Sequence, residues 1–509
     1  MAASGRGYWR PHREVQGQKP MMNDRGKSHN SIVPEKSPNN TQEVAEGMEG
    51  RELAEGKTLE QNTPRTQGRD GVQSALERIR EAAKDKKQRF TALLHHVYSP
   101  ETLRKSYFGL KHDASPGIDG ETWRGYGERL EEHLQNLSER LKKGAYRATP
   151  VRRVYIPKSD GRQRPIGLPV LEDKIVQRAV VEVMNAIYEG DLLGFSYGFR
   201  PGRSAHQALD ILSVGLTARK VNWVLDADIR GFYDSLDHGW LIRCVERRIG
   251  DRRIIRLIQK WLKAGVLEEG KWTRSEVGTV QGGSVSPLLA NIYLYYVFDL
   301  WVHQWRKNQA KGDVIVVRYA DDFIVGFQYR REAERFLADL HARLGRFALA
   351  LHPDKTRVLE FGRFAREDRS RRGEGKPETF NFLGFTHICG RTRKGKFIVL
   401  RKTIRTRRQA KLREVYQELK HRMHDPIPEQ GAYLRSVVGG HIRYYGVPMN
   451  GPSVSAFRKE VCHLWWKALK RRSHKHRLVW DRMKRLADRW LPLARVCHPY
   501  PSVRVGVIT

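Results

Sequence analysis

Cysteine is scarce in this chain, and what there is stands alone. Cys244, Cys389, Cys462 and Cys497 are the only four in 509 residues, and no two form a CxxC pair. That spacing argues against a disulfide framework and against an all-cysteine zinc site. The doublets Cys462-His463 and Cys497-His498, with His474 and His476 nearby, offer mixed ligands, but their spacing fits no common zinc module. Long apolar runs are missing as well. No stretch resembles a secretory core or is long enough to span a bilayer, so a soluble, cytoplasmic protein with no membrane partner is expected. Acid is the third shortage: 57 Asp and Glu face 94 Lys and Arg, a formal net charge of +37. Such a surplus suits a polyanionic partner, because basic side chains displace condensed counterions from phosphates. An anionic membrane is the alternative. However, the charge is spread along the whole chain, with no amphipathic anchor or lipidation signal, so nucleic acid is favoured.

The length allows two or three domains, each with its own core. Residues 1–75 are polar and lack apolar periodicity, which predicts disorder because too little surface can be buried to offset ordering entropy. Met21-Met22 lies within this stretch and offers an alternative start. Order is expected to begin near Val72–Leu76. Leu130, Leu134, Leu137 and Leu141 repeat at threes and fours, as an amphipathic helix requires. Val154-Tyr155-Ile156-Pro157 reads as a strand, followed by a turn with basic edges at Lys158-Ser159-Asp160-Gly161-Arg162. Further on, Val221-Asn222-Trp223-Val224-Leu225 is a short buried strand that ends at acidic residues. Val314–Val317 and Phe323–Phe327 are two apolar runs joined by a short acidic link, the pattern of a β-hairpin. Ala333, Phe336, Leu337, Leu340, Leu344 and Phe347 trace the core face of a helix. Strands alternating with helices predict a small α+β sheet domain. Beyond residue 400 the chain is basic, mostly helical in pattern and interleaved with aromatics, and no internal repeat is evident.

The acidic link is Arg318-Tyr319-Ala320-Asp321-Asp322. Adjacent carboxylates raise each other's pKa, and divalent cations relieve that conflict. Mg²⁺ takes hard oxygen ligands, commonly one or two carboxylates plus substrate phosphates. Asp228, at the end of another strand in Leu225-Asp226-Ala227-Asp228-Ile229, is placed to bridge the same ions. Two such metals can activate an attacking hydroxyl and stabilise a leaving oxygen. An Asp-Asp dipeptide by itself usually reads as a solvated turn, and its place between two strands brings the metal-site reading level with that one.

Tyr319-Ala320-Asp321-Asp322 resembles the signature of reverse transcriptases. Its surroundings resemble the reverse transcriptase/maturases encoded by bacterial group II introns. Blocks in the family's order carry the likeness from about residue 90 to 390. They are Ser115–Gly120, Ile156–Lys158 with Gly161–Gly167, Gly194–Ser204, Asp228–Asp234, Gln281–Pro287, His352–Thr356 and Phe382–Phe385. The resemblance implies an α+β right-hand polymerase. Fingers and N-terminal helices would occupy 76–220, a palm with an antiparallel sheet and the catalytic hairpin 221–390, a helical thumb and maturase domain 391–495, and a short tail 496–509. It also implies two Mg²⁺ ions held by Asp228, Asp321, Asp322 and the Ile229 carbonyl. Lys158, Arg162 and Arg164 would clamp the dNTP triphosphate, as isolated surface cations would not. Tyr233 would be the steric gate against a 2′-hydroxyl, or else a core aromatic. Gln281 and Gly282 would line the nucleotide and template pocket. Lys355 would protonate the departing pyrophosphate, or simply touch phosphate. Phe382, Leu383, Gly384 and Phe385 would form a primer grip, or a buried strand.

Residues 400–500 resemble the family's thumb and maturase domain, which implies binding of group II intron RNA, help with splicing, and copying of the intron during retrohoming onto a DNA target and primer. Arg443, Tyr444, Trp465, Arg471 and Arg472 are the RNA-binding candidates, with cations to grip phosphates and rings to stack on bases. The bland alternative is a basic helix bundle whose Trp and Tyr fill its own core. The nuclease that family members often carry after this domain would need CxxC pairs, which are lacking, so no target-strand cleavage is expected. A monomer or a dimer on RNA fits equally. Rival readings are a splicing factor with a vestigial polymerase site, or a reverse transcriptase serving defence, diversity generation or spacer acquisition.

Overall fold

The structure, a computed structural model, describes residues 66–157, 163–268, 271–273, 277–279, 281–472 and 478–506. The remaining positions, including Lys158 and Arg162 and most of the segment read as disordered, lie outside the described residues.

Among the described residues the architecture is a mixture of helices and three small sheets, with eleven strands numbered in chain order. β1 (Val151–Pro157) and β2 (Gln163–Leu168) form a hairpin. β3 (Trp223–Ala227) follows, and then the short β4 (Val266–Glu268) and β5 (Lys271–Thr273). β6 (Val314–Tyr319), β7 (Asp322–Phe327) and β8 (Arg357–Glu360) complete the central sheet. β9 (Phe380–Phe382), β10 (Phe385–Arg391) and β11 (Phe397–Thr403) make the third. The sheet orders are β2-β1-β4-β5, β6-β7-β3-β8 and β11-β10-β9. The central sheet is antiparallel throughout, so adjacent strands can be joined by tight turns.

Local sequence explains most elements. Helix Leu130–Lys142 buries Leu134, Leu137 and Leu141, and helix Arg330–Gly345 buries Ala333, Phe336, Leu340 and Leu344, as their spacing requires. Phe347 lies just past that second helix. Ser204 and Gln207 close a reciprocal capping box that starts helix Ala205–Ala218. β3 lies between β7 and β8, and its Val224 and Leu225 are fully buried. Helix Leu171–Tyr188 is buried on nearly all sides and runs through the largest core, which gathers residues from Leu76 to Leu351. A second core belongs to four C-terminal helices, Arg405–His421, Ile427–Tyr445, Gly451–Lys470 and Trp480–Trp490. A third joins helix Ala205–Ala218, the β9–β11 sheet and Val447.

Two expected boundaries shift. Helix Thr66–Ala82 begins within the stretch read as disordered, because Val72, Leu76 and Ile79 give it an apolar stripe that packs on the largest core. The break placed at 390–391 falls inside the β10–β11 hairpin, where Cys389 pairs with Val399, so helix starts only at Arg405. The tail is also engaged: His498 stacks on His206 at 3.8 Å, and Arg504 Nε lies 3.2 Å from Asp210 Oδ2. Among the described residues, no helix is long and apolar enough to cross a membrane.

Candidate active site

Carboxylates meet where two strand ends converge. Tyr319 pairs with Asp322 across the β6–β7 hairpin, leaving Ala320 and Asp321 as its two-residue loop. Ala320 takes φ +56, the left-handed conformation that two-residue hairpin loops require and that glycine or asparagine usually supplies. β7 also pairs with β3, with Asp226 opposite Ile324 and Ala227 opposite Phe323. Asp228, the next residue, therefore arrives beside the hairpin loop. Burial pushes the Asp321 carboxyl above the ordinary carboxylate range, and the charge of Asp228 adds to this, while Arg164 and Arg318 oppose it.

A segment far along the chain completes the cluster. Ile229 bridges to Leu351, and His352 donates its backbone N–H to the Asp228 carbonyl at 2.7 Å. The turn that follows brings Lys355 Nζ to 2.6 Å from Asp228 Oδ2. Lys355 thus neutralises one carboxylate. Among the described residues, no three His, Cys, Asp or Glu side chains are gathered closely enough to hold an ion by themselves. The donor set nevertheless consists of hard oxygens carrying excess negative charge, the chemistry Mg²⁺ prefers.

Of the expected nucleotide-site residues that are described, Arg164 and Tyr233 lie near this cluster, and Gln281 and Gly282 are tied to β2. Arg164 on β2 and the Asp321 carboxylate both act on Tyr233: burial raises its hydroxyl pKa, Asp321 raises it further, and Arg164 opposes. Tyr233 is itself buried, in the short turn Phe232–Asp234, so it is both a core aromatic and a neighbour of the carboxylates. The Gln281 carbonyl accepts from Gly167 N–H at 2.7 Å, tying this loop to β2. Gly282 has φ +116, and a Cβ there would sit 2.4 Å from the Gly167 carbonyl, so only glycine permits the approach.

Sequence reasoning missed Asp226 and its partner Arg357. Asp226 lies on β3 two residues before Asp228, which directly follows that strand, a period-2 relation visible in the sequence. Burial raises its pKa to about 6, Arg357 opposes, and Asp228 adds to the rise. Arg357 Nη2 stands 3.7 Å from Asp226 Oδ2.

The other candidates divide. Phe382 and Phe385 pair across a hairpin whose loop, Leu383 (φ +45) and Gly384 (φ +81), turns left-handed at both positions. Both phenylalanines point into the third core, and Tyr444 donates its hydroxyl to the Leu383 carbonyl at 3.0 Å. Three RNA-binding expectations need correction. Trp465 is fully buried and donates to Gln430 Oε1 at 2.8 Å, so its ring fills the helix core and cannot stack on a base. Tyr444 is half-buried, stacked on Phe385 and spent on that internal hydrogen bond. Arg472 donates to the carbonyls of Met423 and Asp425, capping the loop after helix Arg405–His421. Arg443 and Arg471 are exposed. Arg472→Ala should therefore lower stability by about 2 kcal/mol, the loss of a charged donor from two part-buried carbonyls that Gln430 reaches only at longer range, while Arg471→Ala should change it by less than about 0.5 kcal/mol. Thermal melts of the two variants check this; equal losses would sink the assignment.

Residues 156–387 match the family model described as reverse transcriptase (RNA-dependent DNA polymerase). Protein YkfC of Escherichia coli K12 is 35% identical over 353 residues, covering 63% of this chain and 88% of YkfC. Group II intron-encoded protein LtrA of Lactococcus lactis is 38% identical over 210 residues, covering 40% of this chain but only 34% of LtrA. Nuclear intron maturase 1 of Arabidopsis thaliana is 24% identical over 95 residues, 19% of this chain and 13% of that protein. With the carboxylate cluster lying inside the matched segment, the chain belongs to the family of group II intron reverse transcriptases and maturases.

Proposed function

We propose that this protein is an RNA-directed DNA polymerase that also binds its parent group II intron RNA, assists its splicing and copies it into DNA during retrohoming. The observation that carries the polymerase reading is the meeting of Asp228 with the Asp321-Asp322 hairpin inside the reverse transcriptase segment. The finger region is assigned to 76–220, the palm to the central sheet and 221–390, and the thumb and maturase region to the C-terminal helices. Asp228, Asp321, Asp322 and the Ile229 carbonyl would hold Mg²⁺, which when bound activates the primer hydroxyl and stabilises the leaving pyrophosphate. Arg164, with Lys158 and Arg162, holds the triphosphate; Tyr233 excludes a ribose 2′-hydroxyl; Gln281 and Gly282 seat the base pair. Lys355 pairs with Asp228 before substrate enters, and would then protonate the departing pyrophosphate. Exposed cations of the C-terminal helices, Arg443 and Arg471 among them, meet the intron backbone.

Purified protein given an RNA template, a DNA primer, dNTPs and Mg²⁺ should extend the primer, and should bind group II intron RNA with an affinity that falls steeply as salt rises. Absence of RNA-templated extension across a range of primers and Mg²⁺ concentrations would overturn the enzymatic reading. Binding that does not distinguish the intron from unrelated RNA of equal length would overturn the maturase reading.

A further inference from the structure

We propose that Arg318, held by Asp299 and Asn291, is a positioning device that sets the tip of the β6–β7 hairpin for catalysis, an inference that rests on the polymerase reading. Arg318 and Asp299 are both 0% exposed and form a two-pronged pair, with Nε donating to Oδ1 at 2.7 Å and Nη2 to Oδ2 at 2.5 Å. The third nitrogen, Nη1, donates to Asn291 Oδ1 at 3.0 Å and to the Ala320 carbonyl at 2.8 Å. That last bond grips the loop residue immediately before Asp321.

The surroundings act on the same point. Asn291 Nδ2 donates to the Gly198 carbonyl at 2.7 Å, and a Cβ on Gly198 would lie 2.3 Å from the Ala320 nitrogen. Gly198 thus lets its own chain press on the loop. The Arg318 backbone is clamped by that same chain, its N–H donating to Phe195 and its carbonyl accepting from Tyr197, each at 2.8 Å. Asp299 ends a π-turn, Tyr295–Asp299, that interrupts the helical run from Ser286 to Asn308. Such widened turns gather at functional sites because they re-aim a helix face.

A buried ion pair is a poor way to stabilise a core, since both charges lose water and apolar side chains of similar size pack as well. An apolar pair could not hold the Ala320 carbonyl. Ala320 sits at φ +56, where a side chain is strained, and such strain persists only when neighbours over-determine it. The pair explains why this loop stays wound and why Asp321 faces Asp228.

The double variant Arg318→Met with Asp299→Leu removes the network without orphaning a charge. Asn291→Leu is milder and keeps the side-chain volume. Single-turnover extension should slow about 100-fold in the double variant and about tenfold in Asn291→Leu, as expected for a misplaced catalytic group. The dNTP and primer–template dissociation constants should stay within about threefold, since substrate binding does not use the network. Amide exchange at 319–322 should quicken by about tenfold while β6 and β7 keep their protection. Extension within about threefold of the parent, or rate loss matched by lost folded protein, would overturn the proposal. Unchanged exchange at the loop would also overturn it, and that readout stands even if the parent protein extended no primer, a result that would instead sink the polymerase reading.

Discussion

Replacing both Asp321 and Asp322 by alanine is expected to cut RNA-templated primer extension by at least about 10³-fold, while intron binding and splicing assistance stay largely intact. The size follows from the mechanism: losing charge that steadies the reacting oxygens removes several kcal/mol of transition-state stabilisation, and each 1.36 kcal/mol is about tenfold in rate. The structure adds a second readout. Asp321 is held near Asp228 at a cost, its carboxyl driven up by burial and by its neighbour's charge. Removing it relieves that repulsion, so the variant should melt no lower than the parent. A melting point that drops along with activity would mean that the carboxylates hold the fold. Extension near the parent rate would end the catalytic assignment.

Acid should unfold the protein steeply, with a midpoint between about pH 4 and 6, because three imidazoles are buried in neutral form. His206, His387 and His441 are each lowered from 6.5 to about 3. Burial is the main cause in all three, reinforced by the charges of His498, Arg401 and Arg408 respectively. The rings are packed flat: His387 stacks on Phe380 at 4.7 Å and His441 on Phe457 at 3.6 Å. A folded pKa below the unfolded one means the unfolded chain binds more protons. The stability these groups contribute is thus complete above about pH 6.5 and drains away as pH falls toward 3. Three protons taken up together give a slope on the order of 4 kcal/mol per pH unit, enough to exhaust a typical folding free energy within the window. The pH dependence of the denaturation midpoint measures this uptake. His387→Phe with His441→Phe should cut the slope about threefold, leaving His206. An unchanged slope would show that other groups govern acid unfolding.

The local elements were legible because their causes are local. The leucine spacing of 130–141 and the two apolar runs joined by an acidic link follow from a few neighbouring residues, although the pairing of Tyr319 with Asp322 shortened that link to a two-residue loop. Trp465 and Arg472 were not legible, because a basic helix with aromatic residues looks the same whether its rings face RNA or its own core. Only the packing of helix Gly451–Lys470 on the Arg405–His421 and Ile427–Tyr445 helices settled that. Asp226 was passed over although its period-2 relation to Asp228 was in view, since nothing nearby in sequence signals Arg357, 131 positions on.

The sequence by itself determined that the chain carries a large positive surplus, that two strand ends present carboxylates, and that ordered motifs surround them. Those properties belong to composition and to short-range backbone preference, which need no distant contact. Tertiary structure decided what touches those carboxylates. Lys355 reaches Asp228 across 127 residues, and Arg318 finds Asp299 at a break in a helix. Such pairings depend on which faces the cores turn inward, and for Arg318 and Asp299 burial then makes each lone charge too costly to leave without a partner.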